Sequence, residues 1–150
     1  MSAIDPDALR RITIFAGLSD DALACLVRKA EKLECQAGEV LVREGESGNR
    51  FFLVLAGEVQ VLKRCKEGGE TELARLGPGE FFGEMCVLET LPRVATVQTT
   101  VASTVLRLSA LAFLELYESQ PAQHSLLALN LARDLSRRLR RLDEVFAARH

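Results

Sequence analysis

The chain has 150 residues, of which 48% are hydrophobic and 27% are charged, and its formal net charge at neutral pH is -2. This length and composition fit one globular domain and exclude a disordered or fibrous chain. Because 19 basic residues stand against 21 acidic ones, the chain has no overall positive field, and nucleic acid is not an expected partner. We therefore expect a single domain over residues 1–150.

Location is predicted from the start of the chain and from its cysteines. Residues 1–7 lack a basic stretch followed by an apolar one, and no apolar run approaches the roughly 18 residues of a membrane span. The cysteines at positions 25, 35, 65 and 86 match no zinc or redox spacing, which favours free thiols in a reducing compartment. We expect a cytoplasmic protein with no membrane partner.

Helices are predicted at the start of the chain, in residues 1–31. A short helical segment is expected from Pro6 to Phe15, and a second helix is expected over residues 19–31. Ser19 is a suitable N-cap for the second helix, because its hydroxyl can accept from the backbone N–H groups of the first turn.

Residues 32–108 have the sequence pattern of an antiparallel β structure. Short apolar runs alternate with glycines, and turns of this density favour a jelly-roll-like β-roll over βαβ units. Gly68 and Gly69 mark a hairpin tip, around which Lys63 and Arg64 are expected to be solvated. The candidate strands are residues 32–35, 39–43, 51–56, 58–65, 71–76, 93–101 and 103–108.

The C-terminal region, residues 109–148, is predicted to be helical, which makes the fold class mainly β with flanking helices. Ser109 is a suitable N-cap for a first helix, and a long helix of about 40 Å then runs from Pro121 to about Ala148. Such a helix is too long to be covered by one small domain, so part of its apolar stripe is expected to meet a partner or a second copy. The stripe comprises Ala128, Leu131, Leu135, Leu139, Leu142 and Phe146.

The segments 81–88 and 92–96 carry the most informative chemistry. A β segment ends at Gly83, a short helical turn opens, and Arg93 returns at the start of the next strand. Backbone N–H groups of such a turn form an anion-binding site, called the phosphate seat below. The guanidinium of the arginine adds charge-assisted hydrogen bonds to a phosphate. The carboxylate of Glu84 can only accept hydrogen bonds, most naturally from a ribose hydroxyl. A sugar phosphate would therefore suit both the arginine with its anion-binding turn and Glu84. Taken alone, the same residues also fit a loop with a weak surface ion pair.

The surrounding chain resembles the cyclic nucleotide-binding domain family of catabolite activator proteins, regulatory subunits of cyclic AMP (cAMP)-dependent kinases and cyclic-nucleotide-gated channels. Residues 41–57, Leu-Val-Arg-Glu-Gly-Glu-Ser-Gly-Asn-Arg-Phe-Phe-Leu-Val-Leu-Ala-Gly, resemble the family's first signature. Residues 82–84, with Pro-Arg-Val-Ala-Thr at 92–96, resemble its phosphate-binding cassette. Order and spacing agree across roughly residues 10–148.

The resemblance implies a β-roll with a short cassette helix and a cyclic nucleotide ligand. It implies that Arg93 binds the cyclic phosphate, that Glu84 accepts from the ribose 2′-OH, and that backbone N–H groups complete the phosphate seat. Family members that favour cyclic GMP (cGMP) tend to carry threonine after the arginine, so Val94 favours cAMP, with cGMP as a second ligand. The implied ligand-binding residues are Gly83, Glu84, Met85, Cys86, Arg93 and Val94.

The sequence contains no recognisable catalytic or metal-binding motif. The glycines form neither a dinucleotide-binding nor a Walker A pattern, and His124 and His150 are too few and too far apart to hold a metal. We therefore predict a non-catalytic receptor without a cofactor, which signals to a protein partner or a second copy through movement of its C-terminal helices. If the last helix folds back in the ligand-bound state, one of Asn130, Arg133 or Arg137 is expected to reach the base.

The sequence leaves three alternatives open. Cys86 stands where Ala, Gly or Ser is usual and Val94 where a small or hydroxyl residue is usual, so a structural protein that has lost the ligand is one alternative. The others concern context, because residues 1–150 are expected to hold neither a DNA-binding nor a membrane domain. The chain is then either a free-standing sensor or the regulatory part of a larger DNA-binding regulator or channel.

Overall fold

The computed structural model describes residues 4–84 and 92–149. The helices within these two ranges are α1 (Pro6–Arg10), α2 (Asp20–Val27), α3 (Ala110–Ser119) and α4 (Pro121–Arg149), with a 3-10 helix at Thr13–Phe15. The strands are β1 (Glu31–Cys35), β2 (Val40–Val42), β3 (Arg50–Ala56), β4 (Val59–Arg64), β5 (Glu70–Leu76), β6 (Phe81–Phe82), β7 (Thr96–Thr99) and β8 (Ser103–Ser109).

The strands form two antiparallel sheets of four strands each within the described ranges. One sheet has the order β1-β8-β3-β6 and the other β2-β7-β4-β5. Consecutive strands repeatedly lie in different sheets, so the chain crosses between layers as a jelly roll does. The predicted class, mainly β with flanking helices around an antiparallel β-roll, is confirmed, while the predicted cassette helix lies outside the described residues.

The core between the sheets receives at least one buried side chain from every described strand. Strand β3 is buried on both faces, so four consecutive residues, Phe51 to Val54, are buried and show no alternation. The buried side chains of the core cluster are Cys35, Val42, Phe52, Val54, Val59, Leu76, Phe82, Val97 and Val105.

The chain divides into two compact units, one of Met1–Ile4 with Leu26–Phe113 and the other of Asp5–Cys25 with Leu114–His150. The first unit contains both sheets. In the second, the carboxamide of Asn130 is 6% exposed and donates to the carbonyls of Ile14 (3.0 Å) and Ala16 (2.9 Å). Because buried carbonyls need a donor, this residue fastens α4 to the 3-10 helix and to the residue that follows it.

Two predicted boundaries are wrong, because long-range pairing overrides local pattern, and the helical segment expected from Pro6 to Phe15 is divided into α1 and the 3-10 helix. Helix α2 ends at Val27 rather than at 31, since residue 31 already pairs with Arg107 in the β1–β8 ladder. The strand predicted over 93–101 is confined to Thr96–Thr99, whereas β6 is the short β segment predicted to end at Gly83, although it was not among the candidate strands.

The predicted stripe of α4 is only partly buried. Leu131 of that stripe is buried, but the other buried residues of the helix are Leu127 and Asn130, while Leu139 and Leu142 are exposed. The spacing of apolar residues predicted the wrong buried face, because the polar residue Asn130, with two internal hydrogen bonds, occupies a position on that face. The N-caps are confirmed, with Ser19 Oγ accepting from Ala22 N and Ser109 Oγ from Leu111 N, both at 3.1 Å.

Candidate functional site

The guanidinium of Arg93 is half-buried in the β-sheet unit and is held by two backbone carbonyls. Its Nη2 donates to the carbonyl of Arg50 at 2.9 Å, and its Nη1 donates to that of Gly83 at 3.4 Å. The pairing of β3 with β6 brings these carbonyls together, because Phe52 lies opposite Phe82 and the neighbouring residues meet at the same end of the ladder.

Two glycines leave room for this guanidinium. Gly83 has φ +80°, and a Cβ there would lie 2.9 Å from both the Arg50 carbonyl oxygen and Arg93 Nη1. A Cβ at Gly48 would lie 2.5 Å from Nη2 and 2.7 Å from Cζ of Arg93. Gly83 was predicted as a site residue, but the role of Gly48 was missed, although it belongs to a glycine turn of the first signature.

The bonds of Arg93 leave it able to bind an anion. Each terminal nitrogen carries two N–H groups and uses one for a carbonyl, so a second N–H on each has no acceptor among the described residues. Within residues 4–84 and 92–149, no carboxylate forms a salt bridge with this guanidinium. A half-buried cation whose partners are neutral carbonyls is suited to a charge-assisted pair with a phosphate.

The other predicted site residues lie on the two segments that Arg93 connects. Glu84 is half-buried and directly follows the Gly83 carbonyl that Arg93 contacts, and Val94 is 52% exposed. The structure therefore brings Gly83 and Arg93 together. Glu84 and Val94 are the residues that follow them in the sequence. Met85 and Cys86, like the predicted cassette helix, lie outside the described residues.

The backbone of Arg93 is bonded to a turn rather than to a strand, which corrects its predicted place at a strand start. Its N–H donates to the carbonyl of Glu46 at 2.8 Å, and its carbonyl accepts from Gly45 N at 2.8 Å. These bonds join the Arg93 segment to the turn of the first signature, so the two sequence motifs form one structural unit.

Glu44, which precedes that turn, has a side chain only 15% exposed. Its Oε1 accepts from the Arg64 N–H at 2.9 Å, and its Oε2 lies 3.3 Å from Lys63 Nζ. The Arg64 N–H, and then the hydrogen bond and charge of Lys63, hold the pKa of Glu44 below its ordinary value. The prediction that Lys63 is simply solvated is therefore wrong, whereas the side chain of Arg64 is largely exposed.

Outside this site, the described chain contains free cysteines but no metal-binding cluster. Cys25, Cys35 and Cys65 are free thiols. In the described parts of the chain, no three His, Cys, Asp or Glu residues are grouped so as to hold a metal ion. None of the helices there combines the length and apolar character that crossing a bilayer requires.

Comparison with known proteins identifies the class to which this fold and site belong. Residues 32–120 match the family model described as the cyclic nucleotide-binding domain. This range covers most of the β-sheet unit, including both the signature turn and Arg93, so the chain belongs to the cyclic nucleotide-binding domain family. The resemblance predicted from the two motifs is thus confirmed.

Individual relatives carry different names within that family. The chain is 30% identical over 142 residues to a CRP-like cAMP-activated global transcriptional regulator of Mycobacterium tuberculosis, covering 94% of this chain and 61% of that protein. It is 38% identical over 89 residues to a cGMP-dependent protein kinase of Toxoplasma gondii, covering 59% of this chain and 8% of the kinase. A solved cyclic nucleotide-binding domain from Methylobacillus flagellatus has the same fold, with a TM-score of 0.84, 24% identity, and coverage of 96% of this chain and 81% of that one.

The low pKa of Glu44 predicts a pH-dependent contribution to stability. Because its folded-state pKa lies below the unfolded value of about 4.3, the contribution is complete above that value and is lost as pH falls through the folded-state pKa. We expect the parent to be more stable than Glu44→Gln at about pH 7 and to lose this advantage progressively as pH falls below about 4.3. Urea midpoints measure the difference, and Glu46→Gln is the control. An advantage of the parent that did not change with pH would contradict this assignment.

Proposed function

We propose that the chain is a non-catalytic cyclic nucleotide receptor whose main ligand is cAMP. The observation that carries the proposal is the guanidinium of Arg93, which is fixed by the carbonyls of Arg50 and Gly83 and keeps a second N–H on each terminal nitrogen that no described residue accepts. In this proposal Arg93 binds the cyclic phosphate, Glu84 accepts from the ribose 2′-OH, and the N–H groups of residues 83–86 and 94 complete the seat.

The preference for cAMP over cGMP is proposed from Val94 and supported by the relatives. Valine offers no side-chain hydroxyl to a guanine amino group, and its side chain is 52% exposed, so it is not held in the core. The mycobacterial relative that matches nearly the whole chain is named as cAMP-activated, whereas the cGMP-dependent kinase matches a shorter segment.

The three free thiols are consistent with the predicted cytoplasmic location, because a reducing compartment keeps cysteines unpaired. The chain spans 61% of the length of its mycobacterial relative. From the name of that relative, a transcriptional regulator, we propose that ligand binding in this domain has a regulatory output.

Removal of the Arg93 side chain is expected to abolish most of the affinity for cAMP. Loss of one partner of a buried charge pair costs roughly 2–5 kcal/mol, so Arg93→Ala should bind about 30- to several-thousand-fold more weakly in calorimetric titration. Glu84→Ala should lose less, about 1.5–3 kcal/mol, because it removes the acceptor of a neutral hydroxyl. Arg28→Ala, which removes an exposed arginine of the same unit, is the control.

Two outcomes of that titration would overturn the proposal in different ways. If the parent bound neither cAMP nor cGMP at millimolar concentration, the protein would be one that keeps the fold without the ligand. If the parent bound but Arg93→Ala bound equally well, the phosphate would lie elsewhere.

Base selectivity is expected to respond to Val94→Thr. The added hydroxyl can hydrogen-bond the guanine amino group of a syn base, so the ratio of cGMP to cAMP affinity should rise by about tenfold. The Val94→Ala variant is the control, because it shortens the side chain without adding a hydroxyl. A ratio that stayed constant, or that moved towards cAMP, would show that other residues read the base.

We further propose that the signal leaves through α4. The amide of Asn130 donates to the carbonyls of Ile14 and Ala16, and Arg137 donates to Asp134 at 2.7 Å. In this conformation, therefore, both side chains already bind protein acceptors and are not positioned to bind the base of a nucleotide ligand. Farther along the helix, Leu139 and Leu142 are exposed, as a surface that meets a second copy would be.

Self-association through α4 is expected to depend on its exposed leucines. Leu142 is chosen because it is 56% exposed and does not belong to the buried core. Leu142→Gln should sediment as a smaller species than the parent, and Arg140→Gln on the same helix should sediment as the parent does. Sedimentation is measured with and without cAMP. Equal sedimentation of all three proteins under both conditions would mean that this surface carries no self-association.

A further inference from the structure

Lys63 of β4 holds the segment that carries Arg93. Its ammonium donates to the carbonyl of Val94 at 2.7 Å, and Val94 directly follows Arg93 in the chain. The same ammonium lies 3.3 Å from Glu44 Oε2. A single side chain thus connects strand β4, the turn of the first signature and the Arg93 segment.

Glu44 is fixed independently of Lys63, so it is a firm anchor for the ammonium. Its carboxylate accepts from the backbone N–H of Arg64, and its own N–H donates to Thr96 Oγ1 at 3.0 Å. An exposed lysine pair gains little, because the flexible side chain loses rotamer freedom. Lys63 is 44% exposed, but its ammonium lies between a largely buried carboxylate and a backbone carbonyl, and both partners are fixed.

The Arg93 segment needs such a support because it lies outside the sheets. Residues 92–95 precede β7 and belong to no strand, so no ladder fixes their peptide groups. Glu46 and Gly45 fix the peptide groups on either side of Arg93, but the Val94 carbonyl faces Lys63 instead. Lys63 is the donor to the Val94 carbonyl among the described residues, so its loss would leave that carbonyl less firmly held, and a shift of about 1 Å at a binding group weakens its interactions strongly.

We propose that Lys63 is a positioning residue of the phosphate site, which sets the Arg93–Val94 backbone through the Val94 carbonyl and is itself held by Glu44. The inference rests on the proposed function, because its consequence is measured as cyclic nucleotide affinity. Lys63 does not contact the phosphate in this scheme, and it acts through the main chain.

The test is a titration of cAMP into Lys63→Met, Lys63→Arg and Lys66→Met. Methionine keeps much of the length of the side chain and removes the donor, so Lys63→Met should bind cAMP about tenfold more weakly. Arginine can again bridge the carboxylate and the carbonyl, so Lys63→Arg should recover most of the affinity. Lys66→Met, a change in the same hairpin at an exposed residue, should bind as the parent does.

A double-mutant cycle with Arg93→Ala separates positioning from a general effect. If Lys63 acts through Arg93, Lys63→Met should cause little further loss in the Arg93→Ala background. If the two losses simply added, or if Lys63→Met bound as the parent does, the inference would be overturned.

Amide hydrogen exchange without ligand keeps this test distinct from that of the proposed function. Lys63→Met should exchange faster over residues 92–96 than the parent and Lys66→Met, while the core strand β3 remains protected. Unchanged exchange at residues 92–96 would overturn the inference even if affinity fell. A parent that bound no cyclic nucleotide would instead overturn the proposed function, and faster exchange would then still show that Lys63 holds this segment.

Discussion

The site depends on one arrangement, the guanidinium of Arg93 held by the carbonyls of Arg50 and Gly83. A cation in this position requires fixed acceptors, because a half-buried charge without partners is costly. Neutral carbonyls satisfy this need without neutralising the charge, so the attraction for an anion is retained. A carboxylate in their place would compete directly with a phosphate. Everything that sets the positions of these two carbonyls therefore contributes to the site.

The carbonyls are set by the packing of the β-roll. The rings of Phe52 and Phe82, which lie opposite each other in β3 and β6, stack at 4.8 Å between centroids with planes 3° apart. On the other face of the same ladder, Phe51 stacks on Phe81 at 5.5 Å. These contacts fix the register of a strand of only two residues, which backbone pairing alone would hold weakly. A change of register there would move the Gly83 carbonyl away from Arg93.

Most strands and the two helix N-caps could be predicted from the sequence, because each has a local signal, and the Pro-Arg-Val-Ala-Thr motif is the local signal that made Arg93 a candidate. Glycine turns delimit the strands, and serines at positions 19 and 109 mark helix starts. The role of Lys63 has no such signal, since its partner Val94 lies 31 residues farther along the chain. A lysine beside a Gly-Gly turn is expected to be solvated unless the fold brings a carbonyl to it. The role of Asn130 was missed for the same reason, because its acceptors lie more than 110 residues away.

Arg93 and Asn130, one in each compact unit, both supply hydrogen-bond donors to backbone carbonyls. Each is a planar group with several N–H donors, and each donates to two backbone carbonyls. For Asn130 the acceptors belong to residues 14 and 16, at and just beyond the 3-10 helix, where no sheet ladder supplies donors. Asn130 uses both amide hydrogens for this task and is neutral, so it stabilises structure alone. Arg93 has five N–H groups and a charge, so the same task leaves it donors and attraction for a ligand.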